Sequence, residues 1–113
     1  MPIDLQRFDN FKDAELRSLE IVSPTHVKLR VAVQDKARAF DWITLELDFI
    51  NVTDARLIEQ NKLAYVDMSE GANILHVEKE FAFGIGACYN ISTVKNSTFY
   101  IISKDLKYQE GQF

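Results

Sequence analysis

The chain has 113 residues, of which 47% are apolar and 27% are charged, as in ordinary globular proteins, and we predict one domain over residues 1–113. Seventeen acidic and thirteen basic side chains give a net charge of −4, which disfavours nucleic acid and anionic membranes as partners. A single cysteine excludes an internal disulfide, and neither a secretory signal nor a membrane-spanning apolar run is recognisable, so we expect a cytoplasmic protein.

The first predicted element is a short helix over residues 4–11. Its apolar residues recur at helical spacing and would share one face, and Asp4 is a suitable N-cap. These apolar residues are Leu5, Phe8 and Phe11. A strand follows over residues 16–22, and because Leu16 is out of phase with Leu19 and Ile21, this strand must contain a bulge or begin after a turn.

The clearest pattern is alternation of apolar and polar residues over segments 26–34 and 43–49, which predicts two strands. The apolar positions are Val27, Leu29, Val31, Val33, Ile43, Leu45, Leu47 and Phe49. The short segment 35–39 between them predicts an antiparallel hairpin. Two registers would pair opposite charges across it. One sets Lys28 opposite Glu46 and His26 opposite Asp48, and the other sets Arg30 opposite Glu46 and Lys28 opposite Asp48.

Two aromatic residues lie at the start of the second of these strands. Trp42 is in the opposite phase from Ile43 and Leu45, so it is predicted to lie on the outer face, with Phe40 close to the turn. Exposed apolar patches of this kind mark contacts with partners. We therefore predict Phe40 and Trp42 as interaction residues.

Residues 52–66 fit two patterns. Thr53 is a possible N-cap of a helix that would present Leu57, Ile58 and Tyr65 on one face, whereas residues 52–58 alone would fit a strand. A weaker strand is predicted over residues 73–80.

Residues 81–89 predict a strand with one large and one small face. The residues in the phase of the large face are Phe81, Phe83, Ile85, Ala87 and Tyr89. Gly84 and Gly86 lie on the small face and indicate a bulge, a bend or close packing by a neighbouring element. Cys88 on the same face is predicted to be a buried filler. The alternative is a small-ligand pocket near Gly84, Gly86 and Tyr89.

The last predicted strand covers residues 98–103. Its residues are apolar in both phases, which is typical of a strand covered on both faces, so we place it in the centre of the sheet or at an interface.

No catalytic arrangement is recognisable in the sequence, and we predict no catalytic residue, no metal and no cofactor. Histidine occurs only at positions 26 and 76. His76 and Glu78 would lie on one strand face and supply two metal ligands, but a site requires at least a third.

The segment from Phe11 to Ile21, FKDAELRSLEI, resembles the start of small bacterial β-rich domains in which an aromatic residue, a polar residue and Asp-Ala precede the first strand. The segment from Ile43 to Leu57, ITLELDFINVTDARL, is similar to a later part of the same pattern. Many such domains have no known function and some are immunity proteins of bacterial toxins. The resemblance favours a strand over residues 52–58. Lys12 stands where a histidine is common, so no role of that histidine is carried over.

These observations together predict a mainly antiparallel β fold of six or seven strands, as one curved sheet or a sandwich, with one or two short helices. The function that we predict is a non-enzymatic bacterial protein-interaction domain, with a homodimer as its simplest form. The alternative is a small-ligand-binding protein or enzyme that uses the pocket near Gly84 and Gly86.

Overall fold

The computed structural model describes residues 5–112, and its strands form one six-stranded antiparallel open sheet. The strands are β1 (Glu15–Ser23), β2 (His26–Asp35), β3 (Asp41–Arg56), β4 (Ala72–Val77), β5 (Glu80–Ile85) and β6 (Tyr100–Gln112). Their order across the sheet is β1-β2-β3-β6-β5-β4. Three 3₁₀ segments cover Leu5–Phe11, Lys36–Arg38 and Gln60–Tyr65, and one α-helix, α1, covers Ile91–Lys95. The predicted mainly β fold is confirmed in its one-sheet form.

The main apolar core lies on one face of the sheet. The alternating residues that predicted β2 and β3 point into it and are almost completely buried. Phe8 and Phe11 from the first 3₁₀ segment and Leu63 from the third cover these strands. Burial of an apolar side chain stabilises a fold by about 1.5–3 kcal/mol, so this face holds most of the stabilising contacts.

The β2–β3 hairpin adopts the second of the two predicted registers, with Arg30 opposite Glu46 and Lys28 opposite Asp48. Arg30 Nε donates to Glu46 Oε2 over 3.0 Å. Diagonal contacts are also made, since Lys28 Nζ lies 3.8 Å from Glu46 Oε1 and His26 Nε2 is hydrogen-bonded to Asp48. The outer face of this hairpin is therefore a set of alternating charges.

The amino-terminal segment differs from the regular helix that the sequence predicts. Residues 5–11 form 3₁₀ turns that are interrupted at Asp9 and Asn10, where φ is 55° and 51°. Phe8 and Phe11 are nevertheless buried. The predicted cap Asp4 lies outside the described residues. Because left-handed residues change the direction of the backbone, this segment bends over the core and does not continue as a helix.

The ambiguous region 52–66 contains a strand followed by a 3₁₀ helix. Strand β3 continues to Arg56, which confirms the predicted strand up to that residue, and a 3₁₀ helix begins at Gln60. Thr53 lies inside β3 and does not cap a helix, because its Oγ1 donates to Glu80 Oε2 over 2.7 Å.

Strands are present at the remaining predicted positions, but their ends differ from the prediction. Strand β4 ends at Val77 and not at residue 80, and β6 continues from Tyr100 to Gln112, beyond the predicted 98–103. A β-bulge interrupts the β1 pairing between Leu16 and Ser18, as the phase change predicted. Residues 99–102 are buried from both sides, and β6 lies inside the sheet, between β3 and β5. The strand predicted over 81–89 is too long, since β5 ends at Ile85 and Gly86 turns the chain with φ at 87°.

A second, smaller core lies on the opposite face of the sheet. Val94 of α1 packs there with Cys88 and with residues of β5 and β6. Those strand residues are Ala82, Tyr100 and Ile102. Helix α1 covers this face only near β5 and β6, so the outer face of β2 and β3 remains in contact with solvent.

Candidate functional site

The loop that joins β2 to β3 has a tightly bonded backbone. The carboxylate of Asp35 accepts a hydrogen bond from the Ala37 amide over 2.9 Å and caps the Lys36–Arg38 turn. The amide of Phe40 donates to the Asp35 carbonyl over 2.9 Å. Ala39 and Phe40 both have left-handed backbones, with φ at 56° and 65°, which return the chain into β3.

Every residue from Lys36 to Trp42 is exposed, and we call this segment the hairpin tip. Phe40 is 51% and Trp42 is 36% exposed, and neither belongs to the two apolar cores. Trp42 lies opposite Gln34 in the β2–β3 register and precedes the buried Ile43, so its outward position is as predicted. A role of Phe40 and Trp42 in partner contact stays a prediction.

A network of charged side chains lies beneath the hairpin tip. Arg7 forms two hydrogen bonds with the fully buried Asp35, Nε to Oδ1 at 2.9 Å and Nη2 to Oδ2 at 2.7 Å. The same guanidinium forms two further bonds with Glu110, at 3.0 and 2.9 Å. Arg38 lies 3.3 Å from Asp35 and 3.6 Å from Glu110. The network joins the amino-terminal segment, the hairpin tip and the end of β6.

The hydrogen bonds in this network shift the pKa of Asp35 and the pKa of Arg7. Hydrogen bonds from Arg7 hold the pKa of Asp35 below its usual range, against the opposing effect of burial. The same bonds to Asp35 and Glu110 raise the pKa of Arg7 above its usual value. Both groups are therefore charged at neutral pH, and paired donors and acceptors of this geometry are among the strongest in proteins.

Sequence reasoning did not identify this network. Arg7 is separated from Asp35 by 28 residues and from Glu110 by 103 residues. The available signal was a lone Asp at the end of an apolar strand, Asp35, in the phase of the buried residues Val31 and Val33. An acidic residue at a core position requires a partner, and a search for that partner would have pointed to an arginine.

Gly84, Gly86 and Tyr89, the residues of the predicted ligand pocket, lie in different surroundings. Gly84 is buried, and a Cβ atom added to it would lie 2.8 Å from Cys88 Sγ and 3.4 Å from a Val94 methyl. The small face of β5 is therefore filled by neighbouring side chains, which is the packing alternative. Tyr89 lies outside β5 and is 79% exposed.

Cys88 packs in the second core, and the His76 ring packs against Phe81. Cys88 is buried, as predicted, and this burial raises the pKa of its thiol, which lowers its reactivity as a nucleophile.

The His76 ring stacks on Phe81 with centroids 4.4 Å apart. Glu78 lies in the turn after β4 and not on the strand with His76, which corrects the predicted shared face. Across residues 5–112, no three His, Cys, Asp or Glu side chains are grouped so that they could hold a metal ion.

Two clefts of about 480 Å³ each open on other parts of the surface. One separates the first residues of β1 from Leu63 and Val66. The other lies beside α1, where Ile91 and Lys95 face the end of the β4–β5 hairpin. The first is lined partly by the buried core residues Leu16 and Leu63, and neither cleft includes Phe40 or Trp42.

Comparison with protein-family models, with curated proteins and with solved structures gave no match for this chain. No helix within residues 5–112 is both long enough and apolar enough to cross a membrane. The function therefore has to be inferred from the surface itself.

Proposed function

We propose that this chain is a non-enzymatic protein-interaction domain whose contact surface is the hairpin tip. The observation that carries the proposal is the exposure of Phe40 and Trp42 on a loop with a fixed backbone. Aromatic side chains are enriched among the few residues that supply most of the energy of a protein interface. At the hairpin tip they lie outside both cores, where a partner can reach them.

The rigidity of the hairpin tip supports the same proposal. Ordering a flexible loop on binding costs free energy that is subtracted from the affinity. Here Asp35 bonds the amides of Ala37 and Phe40, and Arg7 holds Asp35 in place. The loop is thus ordered before a partner arrives, and we expect the partner to be a protein with an apolar cavity that accepts Phe40.

The resemblance to small bacterial β-rich domains is consistent with this function. Some of those domains are immunity proteins, which act by binding another protein. A bacterial toxin is therefore one class of partner for the hairpin tip.

The test compares the double variant Phe40→Ala/Trp42→Ala with a matched control that also removes two exposed aromatic side chains, Tyr65→Ala/Tyr89→Ala. Each protein is purified gently from its own host and measured by native mass spectrometry, after circular dichroism has shown that it is folded. We expect a stoichiometric second protein with the wild type and the control. Titration of that purified partner should show binding to the hairpin-tip variant weakened by at least about 30-fold, which corresponds to the loss of one strong contact residue.

Two results would contradict the proposal. In the first, the folded hairpin-tip variant binds every partner as tightly as the wild type does. In the second, the wild type carries no protein partner but retains a small molecule, which would favour the ligand-binding alternative.

A further inference from the structure

Strand β1 forms one edge of the sheet, and part of that edge is already occupied by a side chain. The Leu19 amide donates to Gln60 Oε1 over 2.8 Å, and Gln60 Nε2 donates to the Arg17 carbonyl over 3.2 Å. A carboxamide has the same donor and acceptor as a peptide group. Gln60 therefore occupies the position that a peptide group of an added strand would take.

These two bonds establish the direction of the backbone groups farther along β1. Because the Leu19 amide points away from β2, the amide and carbonyl of Ile21, two residues later, point the same way. Within residues 5–112, β2 is the only strand paired with β1. The segment from Leu19 to Ser23 is thus an unpaired edge, which we call the open edge.

The open edge is short and exposes two apolar side chains. Gln60 bounds it at Leu19, and Pro24, which has no amide hydrogen, follows its last residue. Ile21 is 62% and Val22 is 47% exposed on it. Protein edges are normally protected by charges, prolines, bulges or covering elements. In this segment the charge of Glu20 and a pairing irregularity between Ile21 and Ser23 flank Ile21, whose own side chain is left uncovered.

We propose that the open edge pairs with the open edge of a second copy of this chain, to form an antiparallel homodimer with two-fold symmetry. Ile21 is the midpoint of the segment, so the symmetric register sets Ile21 opposite its own copy. The two Ile21 residues then exchange both backbone hydrogen bonds. Glu20 lies opposite Val22, so no like charges face each other across the pair.

The same register explains why the second copy is the occupant. A longer partner strand would meet Gln60 at one end of the open edge. In the symmetric pair, the Gln60 of each copy lies beside the Pro24–Thr25 turn of the other, where the chain has already left the edge to enter β2. The open edge therefore matches the length of its own copy.

The dimer would leave the hairpin tip free, so this inference does not depend on the proposed function. Ile21 pairs with Val27 at the first end of β2, whereas the hairpin tip follows Asp35 at the other end. Val27 and Asp35 are eight residue steps apart, which is about 26 Å of strand.

The experiment measures the mass of the purified chain by sedimentation equilibrium over a wide concentration range. We expect the wild type to approach twice its 13.0 kDa monomer mass as the concentration rises. Ile21→Lys should stay monomeric, because a charge would be buried against its own copy. The matched control is Val77→Lys, which places the same charge at an exposed valine on the opposite edge strand, and it should dimerise like the wild type.

Hydrogen exchange tests the contact without a substitution. The Ile21 amide of the wild type should become more protected as the concentration rises, whereas the amide of Val77, on the opposite edge strand, should not change. A wild type that stays monomeric at its highest soluble concentration would overturn the inference. So would a dimer that Ile21→Lys leaves intact, since another surface, such as the hairpin tip, would then form it.

Discussion

Arg7 and Asp35 form a two-bonded ion pair in which the carboxylate is completely buried and the guanidinium is partly exposed. The pair joins the amino-terminal segment to the last residue of β2. Asp35 also accepts a hydrogen bond from the Ala37 amide. Arg7 therefore fixes the backbone of the hairpin tip by holding the Asp35 carboxylate in place. One arginine thus links the core packing of Phe8 to the loop that carries Phe40.

The stability of the protein should depend on pH through Asp35. Its pKa in the folded state lies below the ordinary value of 3.8, so the unfolded chain takes up a proton first as the pH falls. The contribution of Asp35 is therefore fully present above pH 3.8 and is lost as the pH falls through the folded-state pKa. We expect Asp35→Asn to reduce the free energy of unfolding at pH 7 by about 3 kcal/mol, because it breaks a buried ion pair.

Urea unfolding of the wild type and Asp35→Asn at pH 7 and at several values below pH 3.8 measures this effect. The difference between the two proteins should shrink on acidification. The exposed residue Asp41 provides the control, since Asp41→Asn should leave both the stability and its pH dependence almost unchanged. An equal loss for Asp35→Asn at every pH would show that the carboxylate charge contributes nothing.

A second prediction concerns Gly71, which has a left-handed backbone with φ at 74°. A Cβ atom at this position would lie 2.1 Å from the Asn10 carbonyl oxygen, which belongs to the backbone and has little freedom to move. Gly71→Ala should therefore destabilise the fold by about 2–4 kcal/mol, from backbone strain and overpacking together. Gly111→Ala is the matched control, because its Cβ would meet nothing closer than the Thr44 carbonyl oxygen at 3.7 Å.

Thermal unfolding of both glycine variants distinguishes the two cases. The midpoint for Gly71→Ala should fall by several degrees, whereas Gly111→Ala should be unchanged or slightly stabilised. Equal stability of Gly71→Ala and the wild type would mean that the turn at Asn10 and Gly71 rearranges without cost.

The parts of the fold that the sequence predicts well are those with strong local periodicity. Strict alternation in β2 and β3 determines which side chains are buried, and the charges on the other face limit the hairpin to two registers. The phase change at Leu16 likewise predicted either a bulge or a later start of the strand. The structure has the bulge, whose extra residue lets Leu16 and Leu19 share the core face. The outward position of Trp42 follows from the same alternation.

The features that sequence reasoning missed depend on contacts between distant residues. Arg7 meets Glu110 only because the amino-terminal segment packs on the sheet and its arginine side chain reaches β6. Gln60 reaches β1 only because its helix lies beside that strand. The end of β5 was misplaced because Gly86 provides a turn inside an apparently regular alternation. Local patterns contain no information on the contacts of Arg7 with Glu110 and of Gln60 with β1.

A third prediction uses Cys88 as a probe of α1. Its thiol is buried against Val94, and burial raises its pKa, so little thiolate is present and reagents cannot reach it. Ellman's reagent should therefore label the folded protein at least about 100-fold more slowly than the urea-unfolded chain, at a rate set by local opening. Labelling of the folded protein as fast as of the unfolded chain would show that α1 does not protect this core.

A fourth prediction concerns Gln60, which limits the open edge. Gln60→Ala removes the bonds to Leu19 and Arg17, whose freed backbone groups water can solvate, so the free energy of unfolding should fall by only about 1 kcal/mol. The unpaired edge would then extend back to residue 17. Two copies could then pair in a register centred on Leu19, with Arg17 opposite Ile21, which forms more backbone hydrogen bonds than the register centred on Ile21. Sedimentation equilibrium should therefore show tighter dimerisation for Gln60→Ala than for the wild type. The neighbouring exposed substitution Asn61→Ala is the control, and dimerisation of Gln60→Ala equal to that of Asn61→Ala would show that the carboxamide does not limit the edge.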